Sequence, residues 1–210
     1  MPLPPHPAQH SSLVSRRSYA RPVQRLEEFL AGLTPLTDSE TFWAAGSMRL
    51  RVRSYLTNNQ PPADVTTSAR GIVTRDGDVM VLRNRDGMHV QPGGRIEPGE
   101  TPEAAFAREV LEESGWRIGH PSLVGCVHLR HMSPRPEAYR FPYPDFVWVV
   151  FTAEALEEMS EARFASDYEE AAWFVPRAEL NSLPIEPNQL VFARTIANAP
   201  KDRSNRLAPR

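Results

Sequence analysis

The chain has 210 residues, of which 40% are hydrophobic and 24% charged, with one cysteine and a formal charge of -2. That length allows one well-buried domain plus an appendage and excludes two full-sized domains; a single cysteine excludes an intrachain disulfide and the four-cysteine or Cys/His zinc patterns. The near-neutral charge excludes a general attraction to nucleic acid backbones or anionic membranes, so any polyanion must be met by a local site.

The start, Met1-Pro2-Leu3-Pro4-Pro5-His6-Pro7, lacks the charged beginning and apolar run of a secretory signal. No later stretch approaches the roughly 20 apolar residues of a membrane span, so a cytoplasmic setting is expected. Residues 1–20 are rich in Pro, Ser, His and Gln and read as a disordered arm. From Pro22 to Leu33, the residues Val23, Leu26, Phe29, Leu30 and Leu33 fall at helical spacing. A second helix is expected from a Thr37 or Asp38 cap through Phe42, Trp43 and Met48, with Arg49 to Tyr55 alternating like a strand. Asn58-Asn59-Gln60-Pro61-Pro62 breaks the chain. We therefore expect a mainly helical N-terminal extension over 21–62, a principal domain over 63–198, and a flexible tail over 199–210.

Val65 to Thr74 and Val79 to Leu82, joined through Asp76-Gly77, predict a hairpin. Thr101 is a good N-cap, Pro102 suits the first helical position and Gly115 supplies the stop, which predicts a helix over 102–114. Strands are expected at Leu123–Leu129, Phe146–Ala153 and Trp173–Val175, and a last helix at Asn188–Ala197. This order of elements is that of an α/β protein with a mixed sheet between helices.

The chemistry lies in Gly93-Gly94 and the helix after it. Glu109, Glu112 and Glu113 stand at i, i+3 and i+4, which places three carboxylates on one helical face. Like charges about 4 Å apart repel by roughly 1 kcal/mol in water and about 4 at an effective dielectric of 20, so something positive belongs there. Oxygen donors with no histidine or thiolate beside them suit a hard cation, Mg²⁺ or Mn²⁺, which bridges to phosphate oxygens. Gly93 and Gly94 let the backbone approach metal or phosphate closely. Arg108 is placed to reach back to Glu100 and fix the loop against the helix. A run of glutamates alone is usually a solvated face. The joint occurrence of Gly94, Glu100, Arg108, Glu109, Glu112, Glu113 and Gly115 by chance is below about one in a million, which favours the chemical reading.

These residues resemble the Nudix box of the Nudix hydrolase family: glycine, five residues, glutamate, seven residues, then Arg-Glu-aliphatic-any-Glu-Glu-any-Gly-aliphatic, filled here by Gly94 to Trp116. The resemblance extends to roughly 63–198. It implies an α/β/α sandwich and a hydrolase that cleaves a nucleoside diphosphate linked to another group: a nucleoside triphosphate, a nucleotide sugar such as ADP-ribose, or a dinucleotide polyphosphate. It also implies Mg²⁺ or Mn²⁺ held by Glu109, Glu112, Glu113 and the carbonyl near Gly93. Trp116 departs from the pattern in the last aliphatic slot, Gln91 stands where an apolar residue is common, and His89 where tryptophan is frequent. The base is expected either at Glu109 or on a later loop, at Asp167 or Glu169.

Elsewhere, His128 and His131 read as packing histidines, and Cys126 as core. Tyr139, Phe141 and Tyr143, in a proline-rich connection, could stack on a base or pin the loop. A nucleotide-binding regulator on the same fold is the competing function; residues 21–60 could in addition serve partner binding or homodimerisation, or simply cover the sheet.

Overall fold

The computed structural model describes residues 24–43, 46–159, 161 and 168–196. The arm expected at 1–20, the tail at 199–210 and Asp167 lie outside the described residues. A helix, α1, spans 24–30. Two strands follow, β1 (Pro35–Trp43) and β2 (Met48–Leu56), then β3 (Thr66–Arg75), β4 (Asp78–Asn84), β5 (Gly87–His89) and β6 (Gly93–Arg95). Helix α2 (Pro102–Ser114) leads into β7 (Trp116–Ile118), β8 (Ser122–His131), β9 (Asp145–Glu158) and β10 (Glu169–Val175). A 3₁₀ turn at Arg177–Ser182 and helix α3 (Pro187–Ile196) complete the described chain.

The principal strands pair in the order β1-β2-β8-β9-β3-β4-β10, antiparallel throughout except for the parallel β3–β9 pair. One face buries Tyr55, Cys126 and Val147 under Leu26 of α1, and Val149 and Phe151 under Phe106 and Val110 of α2. The other face packs Val127, Leu129 and Val150 against Leu190 and Phe192 of α3. Helices thus cover both faces of a mixed sheet, as the sequence led us to expect. Gly71 and Gly125 are required by close packing: a Cβ would lie 2.5 Å from Phe106 and from the Phe151 carbonyl at the first, and 2.2 Å from the Tyr55 carbonyl at the second.

Residues 35–56 correct the expectation of a mainly helical extension. Where a second helix was predicted from Thr37 through Met48, β1 and β2 form an antiparallel hairpin. Asp38 bonds Arg51 and Glu40 bonds Arg49 across the two strands, and the threonines and aromatics of β1 suit a pleated, half-buried surface. Through β2 this hairpin joins the main sheet on β8, from Leu50–His131 to Leu56–Gly125. The Asp76-Gly77 turn is present, with both residues at positive φ, but β3 pairs with β4 only at its last two residues. At Ser68 to Arg70 its partner is β6, so the sheet opens there and the Gly93-Gly94 loop lies in the gap.

Candidate active site

Local chemistry fixes α2. Thr101 accepts a hydrogen bond from the Ala104 amide, Pro102 occupies the first turn, and Gly115, at φ 77°, sends its N–H to the Leu111 carbonyl. Ala105, Phe106 and Val110 anchor the helix, leaving Arg108, Glu109, Glu112 and Glu113 on the face towards β6.

Arg108 organises this face. Its Nε and one terminal nitrogen donate to the two oxygens of Glu100 at 3.0 and 3.1 Å, as the sequence predicted. The other terminal nitrogen donates to Glu109 at 3.0 Å and to Glu112 at 3.2 Å. Hydrogen bonding from Arg108, together with the Glu97 amide, holds the Glu100 carboxyl below the usual range. Arg108 in turn keeps its proton more firmly than a free guanidinium.

Glu113 turns elsewhere, accepting from the Gly93 amide at 2.9 Å. Burial pushes its carboxyl up to about 8, a rise opposed by the Gly93 hydrogen bond and reinforced by the charge of Glu169. Glu109 lies directly over Gly94, where a Cβ would stand 2.3 to 2.6 Å from its carboxylate atoms. The hard oxygen donors of this face and a Glu113 carboxyl raised chiefly by burial suit a divalent cation. Among the described residues no three such groups converge in a ready-made cage. Mg²⁺, which retains several waters and needs only one or two carboxylates, does not require one.

Beside this face lies a cleft of about 490 Å³, lined among others by Gly93, Glu113, Glu169, Arg70, Trp43 and Trp148. Glu169, expected as a candidate base, is therefore placed with Glu113, where it accepts from the Asn84 amide at 3.4 Å and has His89 3.6 Å away. Its neighbour Glu170 instead pairs with Arg83 on the surface. His89 and Gln91 also line the cleft, Gln91 donating to the Gln189 carbonyl. Trp116 is buried edge-on against Phe174, a change of packing only.

Cys126 is core, its thiol pushed up to about 12 by burial. His128 is buried 2.7 Å from Asp145, and His131 meets the Tyr139 hydroxyl at 2.9 Å. Neither histidine lines the cleft. Sequence reasoning missed Arg70, whose guanidinium lies 4.7 Å over Trp148, and Trp43, which stacks on Trp148 at 5.5 Å and 13°. Arg70 is drawn towards Glu113 and Glu109, while burial makes its charge less favourable than in water. The available signal was an arginine in mid-strand, flanked by Ala69 and Gly71.

Gly94→Ala separates site from fold. The nearest atoms to an added Cβ are all at the flexible end of Glu109, so the melting temperature should hardly move, at a cost of about 1 kcal/mol or less. Displacing that carboxylate should lower kcat roughly a hundredfold. Gly93→Ala would instead strike the Ala69 carbonyl at 2.3 Å from a positive φ and should destabilise the whole protein.

Comparison with known proteins follows the same residues. The NUDIX domain model matches residues 65–196. The NAD-capped RNA hydrolase NudC of Salmonella paratyphi C is 27% identical over 165 residues, 77% of this chain and 55% of that protein. NudC of Escherichia coli is 31% identical over 119 residues, 55% of this chain and 39% of that protein. The chain spans about half the length of these curated relatives or less. Among solved structures, a mutant of the Bacillus subtilis pyrophosphohydrolase is 18% identical with a TM-score of 0.47, covering 66% of this chain and 77% of that one. A MutT Nudix hydrolase from Burkholderia pseudomallei is 19% identical with a TM-score of 0.47, covering 62% and 98%.

Proposed function

The chain belongs to the Nudix family of hydrolases, and we propose that it is a divalent-cation-dependent pyrophosphohydrolase cleaving the diphosphate linkage of a nucleoside diphosphate derivative. One observation carries this reading: Glu113 of α2, bonded to the Gly93 amide, lines one cleft with Glu169 and Arg70, and the Arg70 charge is felt by both Glu113 and Glu109. Residues 63–198 supply this catalytic domain. Mg²⁺ is the proposed ion, with Mn²⁺ as a substitute.

When bound, such an ion supplies Lewis acidity, acidifying water and offsetting negative charge on the diphosphate. The chain's own residues do the rest. Glu109, Glu112 and Glu113 would hold the cation, and Arg108 keeps Glu109 and Glu112 in register by bonding both. Glu100 fixes Arg108. Gly93 orients Glu113 through its amide. Glu169, in the same cleft, is the proposed proton acceptor for the attacking water, within reach of groups around Glu113. Arg70 draws in the phosphates.

Among substrates, the relatives named for NAD-capped RNA favour linkages of the NAD type, a diphosphate between two nucleosides, ahead of ADP-ribose-like sugars and nucleoside triphosphates. The test is nucleoside monophosphate release from such a panel, with Mg²⁺, with Mn²⁺ and after chelation. Turnover of one class that vanishes on chelation and returns with Mg²⁺ is the expected result. Tight binding without turnover of any substrate would replace it with a nucleotide-binding regulator.

A further inference from the structure

Next to the acidic cleft lies a second cavity, of about 290 Å³, between the end of β1 and the 132–144 connection. The two share Trp43, Arg70 and Trp148 as a common wall. They differ in character. The first is dominated by carboxylates and amides, whereas the second is walled by Tyr139 and Phe141 opposite the tryptophan pair. Gly94 lies in its floor, so it begins where the carboxylate face ends.

Three features set this cavity apart from ordinary loop packing. Its aromatic groups are held in fixed orientations: Trp43 and Trp148 lie nearly parallel, Tyr139 meets Phe141 edge-on at 5.5 Å, and His131 fixes the Tyr139 hydroxyl. Yet Trp43, Trp148, Tyr139 and Phe141 all remain half-buried, with ring surface to offer. Finally, two guanidinium groups stand in its wall, Arg95 at 4.2 Å over Phe141 and Arg70 over Trp148, and neither makes an ion pair among the described residues. Flat aromatic faces beside guanidinium groups that make no direct ion pair among the described residues match one chemistry, a flat ring carrying a phosphate.

We propose that this second cavity is the nucleobase subsite, stacking the aromatic end of the substrate on Phe141 and Trp43 while Arg95 and Arg70 guide its phosphate towards Gly94. The proposal rests on the nucleotide substrate class proposed above. It gives hairpin β1–β2 a part in specificity, because Trp43 comes from outside the matched domain. It also gives the proline-rich connection the base-stacking use that its aromatics offered in the sequence.

The test is calorimetric binding, in chelator, of AMP, GMP, CMP and UMP against ribose 5-phosphate, which has the same phosphate and sugar but no ring. At least one nucleotide should bind roughly ten- to a hundredfold tighter than ribose 5-phosphate. Phe141→Ala should erase that preference without changing ribose 5-phosphate binding, and Phe141→Tyr should restore it. Phe141 lies outside the core clusters, so the melting temperature should hold; Trp43→Ala, which also loses contact with Phe146, is the second variant. With a substrate that turns over, Phe141→Ala should raise KM and leave kcat within about threefold. Equal binding of ribose 5-phosphate and every nucleotide, or a preference that survives Phe141→Ala in a folded protein, would overturn the subsite. A wild-type protein that shows the ring preference but hydrolyses nothing would reject the hydrolase reading and leave the subsite standing.

Discussion

Glu109→Gln and Glu112→Gln should each lower kcat by roughly three orders of magnitude while leaving the fold intact, and Glu100→Gln should lower it by only about tenfold. All three carboxylates touch the same guanidinium, so a purely structural account predicts similar losses. The amide keeps the shape of the acid and can still accept from Arg108; what disappears is the charge. Glu109 lies over Gly94, and its charge with that of Glu112 would hold the cation. At Glu100 the charge is already balanced by two Arg108 hydrogen bonds and one from the Glu97 amide. Steady-state kinetics with saturating Mg²⁺, and Mn²⁺ affinity by paramagnetic resonance, separate the two roles. The Glu109 and Glu112 variants should bind Mn²⁺ at least tenfold more weakly, and Glu100→Gln within about threefold. Equal losses at all three positions would leave the α2 carboxylates with only a positioning role.

The contrast between α2 and β1 shows what a sequence can disclose. Thr101, Pro102, Gly115 and the spacing of the glutamates act within one or two helical turns, so the helix, its caps and the Arg108–Glu100 contact could be read directly. Segment 35–43 offered a helix cap at Thr37 or Asp38 followed by Phe42 and Trp43, and what decides it is a partner strand whose arginines lie 9 and 13 residues away. Strands β5 and β6 have three residues each, too few to show a period, yet their pairing opens the sheet at the site. Arg70 and Trp43 were illegible for the same reason. Each sits on a strand whose local pattern is ordinary, and they become a site only when β1, β3 and β9 bring them together on Trp148. Glu169, by contrast, was signalled by an acidic pair beside a strand; an irregularity in the pairing of β10 with β4 between Glu169 and Ala171 accompanies its placement in the cleft and that of Glu170 on the surface.

Metal-free protein should lose stability as pH rises from about 5 to 8, and Glu113→Gln should abolish most of that loss. In the unfolded chain Glu113 releases its proton near 4.5; in the folded protein, burial raises that point to about 8. Between those values the folded form holds a proton the unfolded form has given up, so raising the pH favours unfolding. The contribution is fully present below 4.5 and is gone above about 8. At 1.36 kcal/mol per unit the full shift is on the order of a few kcal/mol, a large share of the stability of a domain this size. Gln keeps the acceptor for the Gly93 amide and carries no charge, so the variant should be the more stable of the two at pH 8 and nearly equal at pH 5. Denaturant titrations of both proteins in chelator, compared across that range, isolate the group from every other carboxylate. A cation at the site must displace the same proton, so Mg²⁺ should restore wild-type stability at pH 8. At pH 7 binding should release close to one proton per ion, readable by calorimetry in buffers of different ionisation enthalpy, and none from this position in Glu113→Gln. Parallel stability curves for the two proteins would mean that Glu113 is already ionised without metal, held by Arg70 and the Gly93 amide alone.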